Sequence, residues 1–243
     1  MGSPKPAAYA KTWGGTKKKH PITVAMLLAM ESSLDVERKA DHLIIMLLAT
    51  TGFFILGRVS ELVGQEGKAT GRAGILGAHF EAYLGATKVA TFNLADRILI
   101  TITGSKTDQL NLGCKRLVFP SGHPRLCLLR LAKLAEKHFP TRFTTEACLP
   151  LFRWMNGQKI LRIQLQTYLT EAAETQGVSA TDIGTHSLRH GGASALFAGL
   201  RDSDAVKRWG RWKSSAYEGY LWESQEASSV YSRAMVAANL VVR

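Results

Sequence analysis

Residues 186–194 read HSLRHGGAS. Leu188, Ala193, Ala195, Leu196 and Phe197 have the spacing of one apolar helical face, so the stretch opens a helix that buries one side. On that helix His186, Arg189 and His190 fall three or four residues apart, which makes their side chains neighbours. Cationic capacity beside a core costs free energy unless an anion arrives to use it. Gly191 and Gly192 follow at once, so another backbone or a ligand can approach closely. A histidine satisfied within a core accounts for His190 but not for the trio.

Composition narrows the anion. Lys and Arg number 31 against 19 Asp and Glu, a formal charge of +12 over 243 residues. That balance favours a polyanion, with nucleic acid ahead of a membrane surface. Hydrophobic residues make up 46%, enough for a globular core. The three cysteines, Cys114, Cys127 and Cys148, are odd in number and have no CxxC spacing, which argues for a reducing compartment and against a zinc site. The longest apolar run, 43–56, is 14 positions long and contains Thr50, Thr51 and Gly52. A membrane span needs about 18 or more, so the run is a core helix and no membrane partner is expected.

Residues 1–20 hold Lys5, Lys11, Lys17, Lys18 and Lys19 with no acid, and read as a flexible basic arm or linker remnant. Pro21 opens a helix through Ser32, and Asp35 or a neighbour caps a second that carries the apolar run. Five glycines between Gly64 and Gly77 mark a loop. Strands are expected at 87–92, 97–103 and 115–119, with GSKTDQLNLG, residues 104–113, joining the last two. Helices follow near 125–138, 158–176, 185–199, 203–209, 215–222 and 226–241. The expected fold is mainly α with a small antiparallel β-sheet, one domain over 21–243 that includes the last helix.

Three further places put reactive side chains where packing alone does not call for them. In GRVSEL, residues 57–62, Arg58 closes an apolar helix and Glu61 stands three positions on, close enough to orient its guanidinium. A surface ion pair is the plainer reading. Lys106 sits in the hairpin connection, where a lysine is ordinarily just solvated. In VKRWGRWKSSAYEGYLW, residues 206–222, Trp209, Trp212, Tyr217, Tyr220 and Trp222 interleave with Lys207, Arg208, Arg211 and Lys213. That mixture suits stacking and phosphate contacts on nucleic acid, and equally a helix packing its aromatics inward.

Taken in order, an arginine after an apolar helix, a hairpin lysine, HxxR, then Gly210 with a tyrosine ten residues later resemble the catalytic domain of the tyrosine recombinase (phage integrase) family. SKTDQ and GRWKS with the later tyrosine look most like recombinases of eukaryotic Crypton- and DIRS-type mobile elements. The resemblance implies that Tyr220 attacks a DNA phosphodiester, leaving a 3′-phosphotyrosine and a free 5′-hydroxyl. Arg58 and Arg189 would grip the non-bridging oxygens, Lys106 would protonate the leaving oxygen, and His186 would assist proton transfer. Glu61 would support Arg58, with His190 nearby. Lys17, Lys18, Lys19, Lys207, Arg208 and Lys213 would meet the DNA backbone. Such chemistry stores the phosphodiester energy covalently and needs neither a metal nor another cofactor.

The family places His or Trp directly after the glycine. Here that position is Arg211, with Trp212 beside it, and the sequence leaves open which of the two fills the role. Tyr217 competes as nucleophile but has the wrong spacing from Gly210. Only the basic arm precedes Pro21, so a catalytic domain alone is expected, without the family's helical clamp domain. The partners implied are double-stranded DNA and a homotetramer on it, with the last helix docking on a neighbouring protomer or on its own domain. Localisation would be nuclear in a eukaryote and otherwise cytoplasmic. A type IB topoisomerase-like relaxing enzyme and a domesticated DNA-binding module are the alternatives.

Overall fold

The apolar run lies at the centre of the molecule. A computed structural model describes residues 19–64, 73–103, 113–184 and 186–221, with the backbone alone at Gly219 and Tyr220. Helix α1 spans Val24–Ser33 and α2 spans Ala40–Phe54. Leu43 through Ala49 are all fully buried, because a helix apolar on every side has to be enclosed on every side. Its neighbours are α1, α3 (Val59–Leu62), α4 (Leu128–His138) and α6 (Ser187–Leu200). Helix α5 (Arg162–Glu174) packs on α1, and α7 (Ser203–Gly210) on α6. Among the described residues no helix is long and apolar enough to cross a membrane.

Four antiparallel strands, β1 (Phe80–Leu84), β2 (Thr87–Lys88), β3 (Arg97–Ile102) and β4 (Cys114–Val118), form a sheet in the order β2-β1-β3-β4. Register pairs Phe80 with Ile100 and Ile98 with Val118. Ile98, Ile100 and Ile102 alternate inward with Phe80, Ala82 and Val118, so one face of the sheet joins the core. Helices and sheet together give the mainly α architecture with a small antiparallel sheet.

Several boundaries differ from the sequence expectation. The first helix begins at Val24, not Pro21, capped by the Thr23 hydroxyl accepting from Met26 N at 3.2 Å. Residues 20–22 are used elsewhere: His20 N donates to Asp182 O at 2.7 Å and Ile22 N to Ser187 O at 2.9 Å. Lys39, not Asp35, is the N-cap residue of α2; Asp35 instead accepts from Arg38 N at 3.2 Å. The expected 87–92 strand shrinks to two residues, and Phe92–Leu94 is a 3₁₀ turn whose Phe92 N–H is taken by the Glu136 carboxylate at 3.0 Å. The strand β1 precedes it. Residues 215–220 form a 3₁₀ segment rather than an α-helix. The basic arm through residue 18, much of the glycine-rich loop, Lys106 with its connection, Trp222 and the 226–241 helix lie outside the described residues.

Candidate active site

The site is assembled where three chain segments end against one another. Helix α2 stops at Phe54, and Leu56 takes a left-handed φ of 49°, which turns its carbonyl back toward α6. The chain then enters α3 with Arg58 at the N-cap position. Glu61, three residues on, accepts from Arg58 N at 3.0 Å through Oε2 and from Arg58 Nη1 at 2.8 Å through Oε1. Glu61 is only 3% exposed, so this is no surface ion pair. From 150 positions away Arg211 Nη2 donates to Glu61 Oε2 at 2.8 Å. Burial raises the Glu61 pKa, but Arg211, the Arg58 N–H and the Arg58 charge together outweigh it, and the carboxyl is held below its usual range.

Helix α6 brings the second element. His186 is its N-cap residue and is exposed; Arg189, one turn in, is 1% exposed. Its Nη1 donates to Leu56 O at 2.7 Å and its Nη2 to Gly210 O at 2.6 Å. These carbonyls stand at the C-terminal ends of α2 and α7, where helix dipoles carry partial negative charge. In this structure helix ends therefore compensate the buried cation, where the sequence alone suggested an arriving anion. The glycines that follow serve backbone approach: a Cβ on Gly191 would lie 1.8 Å from Ile22 O, and one on Gly192 would lie 2.2 Å from Phe53 O.

The stretch Gly210-Arg211-Trp212 supplies the third element, and each residue has its own reason. A Cβ on Gly210 would meet the Trp212 ring at 1.4 Å, so glycine lets the indole lie across it. The ring then covers Arg189, its centroid 4.2 Å from the guanidinium carbon. Arg211 holds a left-handed φ of 62° as it leaves α7. Among the described residues only Leu56, Arg201 and Arg211 are non-glycine with positive φ, and two of them flank Arg189.

His186 and His190 stack with centroids 6.2 Å apart, and His190 Nδ1 lies 3.4 Å from Lys19 O. Although the residue is exposed overall, its ring is partly desolvated, and this, followed by the charges of Arg189, Arg58 and Arg162, lowers the His186 pKa. The neutral imidazole is thus favoured, and the ring sits within electrostatic reach of both site arginines.

The aromatics of 206–222 turn inward. Trp209 Nε1 donates to Phe54 O at 2.8 Å, and Tyr217, 6% exposed, packs in a cluster with Leu56, Ala193, Val206 and Trp212. Arg208 and Lys213 face solvent, and Lys207 is half-buried. Arg208 lies 3.7 Å from Asp202 Oδ2, and Lys19 Nζ donates to Thr181 O at 2.6 Å. The Tyr220 side chain is outside the described residues, as are Lys17, Lys18 and Lys106.

Sequence reasoning missed Arg116 on β4. Its Nε and Nη2 donate to Trp209 O at 3.1 and 2.8 Å, and Nη2 also reaches Arg208 O at 3.1 Å. With Arg189 it closes the C-terminal end of α7. Carbonyl partners more than 90 positions away leave no local sequence signal.

Two solved structures of the site-specific recombinase XerH share this architecture. One, a post-cleavage complex with palindromic difH substrate, superposes with a TM-score of 0.58 at 15% identity, covering 92% of this chain and 54% of that one. The fold is that of a tyrosine recombinase. A pre-cleavage complex of XerH with difH substrate gives 0.56 at 14% identity, covering 88% and 53%. This chain spans about half the length of those structures. No family model and no curated protein matches it.

Proposed function

We propose that this chain is a site-specific DNA recombinase that breaks and rejoins strands through a 3′-phosphotyrosine on Tyr220. One observation carries the reading: on a recombinase fold, Arg58, Glu61, Arg189 and Arg211 converge from three separated segments beside His186, whose pKa the nearby arginines help to lower. Guanidinium groups held in a partly dry site stabilise a phosphodiester as charge gathers on its equatorial oxygens.

In the proposed step the Tyr220 oxygen bonds to phosphorus and the bond to the 5′-oxygen breaks. The phenol proton passes to His186, and Lys106 delivers a proton to the leaving oxygen. Arg58, a quarter of its side chain exposed, meets the non-bridging oxygens, while Arg189 adds its charge from beneath Trp212. Rejoining reverses the sequence with a new 5′-hydroxyl. The working assembly is a homotetramer on duplex DNA, acting in integration or transposition. SKTDQ and GRWKS support the placement near Crypton- and DIRS-type elements.

The test is covalent capture. The protein is incubated with nicked suicide duplexes of varied sequence and run on a denaturing gel beside Tyr220→Phe and Tyr217→Phe. The expected result is an adduct lost only with Tyr220→Phe, because Tyr217 is committed to the core. Relaxation of any supercoiled plasmid without site preference would replace the reading with a topoisomerase-like one. DNA binding with no adduct on any duplex would replace it with a binding module.

A further inference from the structure

The His186 ring has little to hold it. Among the described residues it makes no hydrogen bond, and its ring contact there is the stack on His190, with centroids 6.2 Å apart and planes 19° from parallel. A side chain that takes a proton at a defined place has to be held to within about 0.5 Å by its neighbours. His190 is the neighbour in place to do that, and what fixes His190 lies outside α6. Residues 19–22 precede α1 and run against the start of α6 as a strap. His20 N donates to Asp182 O at 2.7 Å, Ile22 N to Ser187 O at 2.9 Å and Lys19 Nζ to Thr181 O at 2.6 Å. Two glycines make the room: a Cβ on Gly184 would stand 3.1 Å from Lys19 Cγ, and one on Gly191 1.8 Å from Ile22 O. From this strap the Lys19 carbonyl, 171 positions away in sequence, accepts from His190 Nδ1 at 3.4 Å. A carbonyl only accepts, so the bond puts a proton on Nδ1.

We infer that His190 is a positioning residue: the 19–22 strap fixes its ring through the Lys19 carbonyl, and that ring orients His186 by stacking. The inference rests on the recombinase reading for the task of His186, which is to take the proton of Tyr220. His190 touches neither phosphate nor nucleophile in that scheme. It acts through His186 alone, which separates it from a histidine that merely fills the core.

A double-mutant cycle reads that dependence. His190→Asn keeps a donor near the place of Nδ1 but has no ring to stack, whereas His190→Phe keeps a flat ring without the donor. Adduct rates are measured for the whole chain on the suicide duplex that gives most product, in the intact and the His186→Ala backgrounds, with thermal midpoints beside them. His190→Asn is expected to slow the intact chain about tenfold and to leave the slower His186→Ala rate unchanged. His190→Phe should fall between His190→Asn and the intact chain. An equal loss in both backgrounds, no loss in either, or His190→Phe slower than His190→Asn would overturn the inference. The second readout needs no DNA: carbon-13 relaxation of the His186 ring C–H. Its order parameter should fall in His190→Asn and fall less in His190→Phe. An order parameter that His190→Asn leaves unchanged overturns the inference whatever the adduct does. If the intact chain forms no adduct, the recombinase reading falls, and the relaxation alone decides whether His190 orients His186.

Discussion

The indole of Trp212 occupies the space beside Gly210 and caps the guanidinium of Arg189, 4.2 Å from ring centroid to Cζ. The contact ties the end of α7 to the centre of α6 and shields a cation that two carbonyls already hold. Gly210→Ala forces a methyl group into the ring at 1.4 Å. The ring must leave, which costs about 1–3 kcal/mol of packing. Acrylamide quenching of tryptophan fluorescence should rise and the urea midpoint should fall. Unchanged quenching would show that the ring does not need the glycine.

Glu61→Gln removes the one negative charge between Arg58 and Arg211. Breaking a buried pair in this way costs about 3–5 kcal/mol near neutral pH. The pH dependence has a fixed sign. Because the folded pKa lies below the ordinary 4.5, the contribution is fully present above 4.5 and fades as pH falls through the folded value. Urea unfolding at pH 7 and then stepwise into the acid range should show the gap between wild type and Glu61→Gln closing only below about 4.5. A gap that is constant over the range would place the effect in packing rather than charge.

Why was part of this legible in the sequence? The 43–56 run announced a buried helix because its apolar residues leave no polar face, and β3 and β4 announced themselves as β-rich runs next to glycine- and turn-rich segments. Arg58 and Glu61 are three apart on one short helix, so their contact is local. Their link to Arg211 is not, since it depends on how α7 returns to α3 across 150 positions. Strand β1 escaped because FEAYL carries a charge and buries only alternate residues, a weak pattern over five positions. Trp209 and Trp212 sit among basic residues, which in sequence resembles a nucleic-acid surface. Only the helix ends they cover reveal that they pack inward.

Two glycines of α6 make a paired test. Gly191 has Ile22 O where its Cβ would stand, at 1.8 Å, whereas nothing lies within 4 Å of a Cβ on Gly199. Gly199→Ala should stabilise the protein by roughly 0.5–1 kcal/mol through helix propensity. Gly191→Ala gains the same propensity but has to push a backbone segment away, and a net loss of about 3 kcal/mol or more is expected. Thermal melts of the two variants should move in opposite directions. A Gly191→Ala melt at or above wild type would mean that residues 20–22 can leave α6 freely.

His186 should titrate below the usual 6.5 for an imidazole, because partial desolvation of its ring and three nearby arginines all disfavour its charged form. Below 6.5 the unfolded chain binds a proton that the folded chain still refuses, so this group costs stability as pH falls and nothing above that point. Arg162 offers a clean probe: it opens α5 and takes no part in the proposed chemistry. In Arg162→Gln the His186 midpoint, followed by the imidazole proton shifts in NMR, should move up toward 6.5. If the adduct reaction uses neutral His186 as its proton acceptor, the acid limb of the cleavage rate should move up with it. A shifted NMR midpoint with an unmoved acid limb would take His186 out of the proton-transfer role while leaving its electrostatic setting intact.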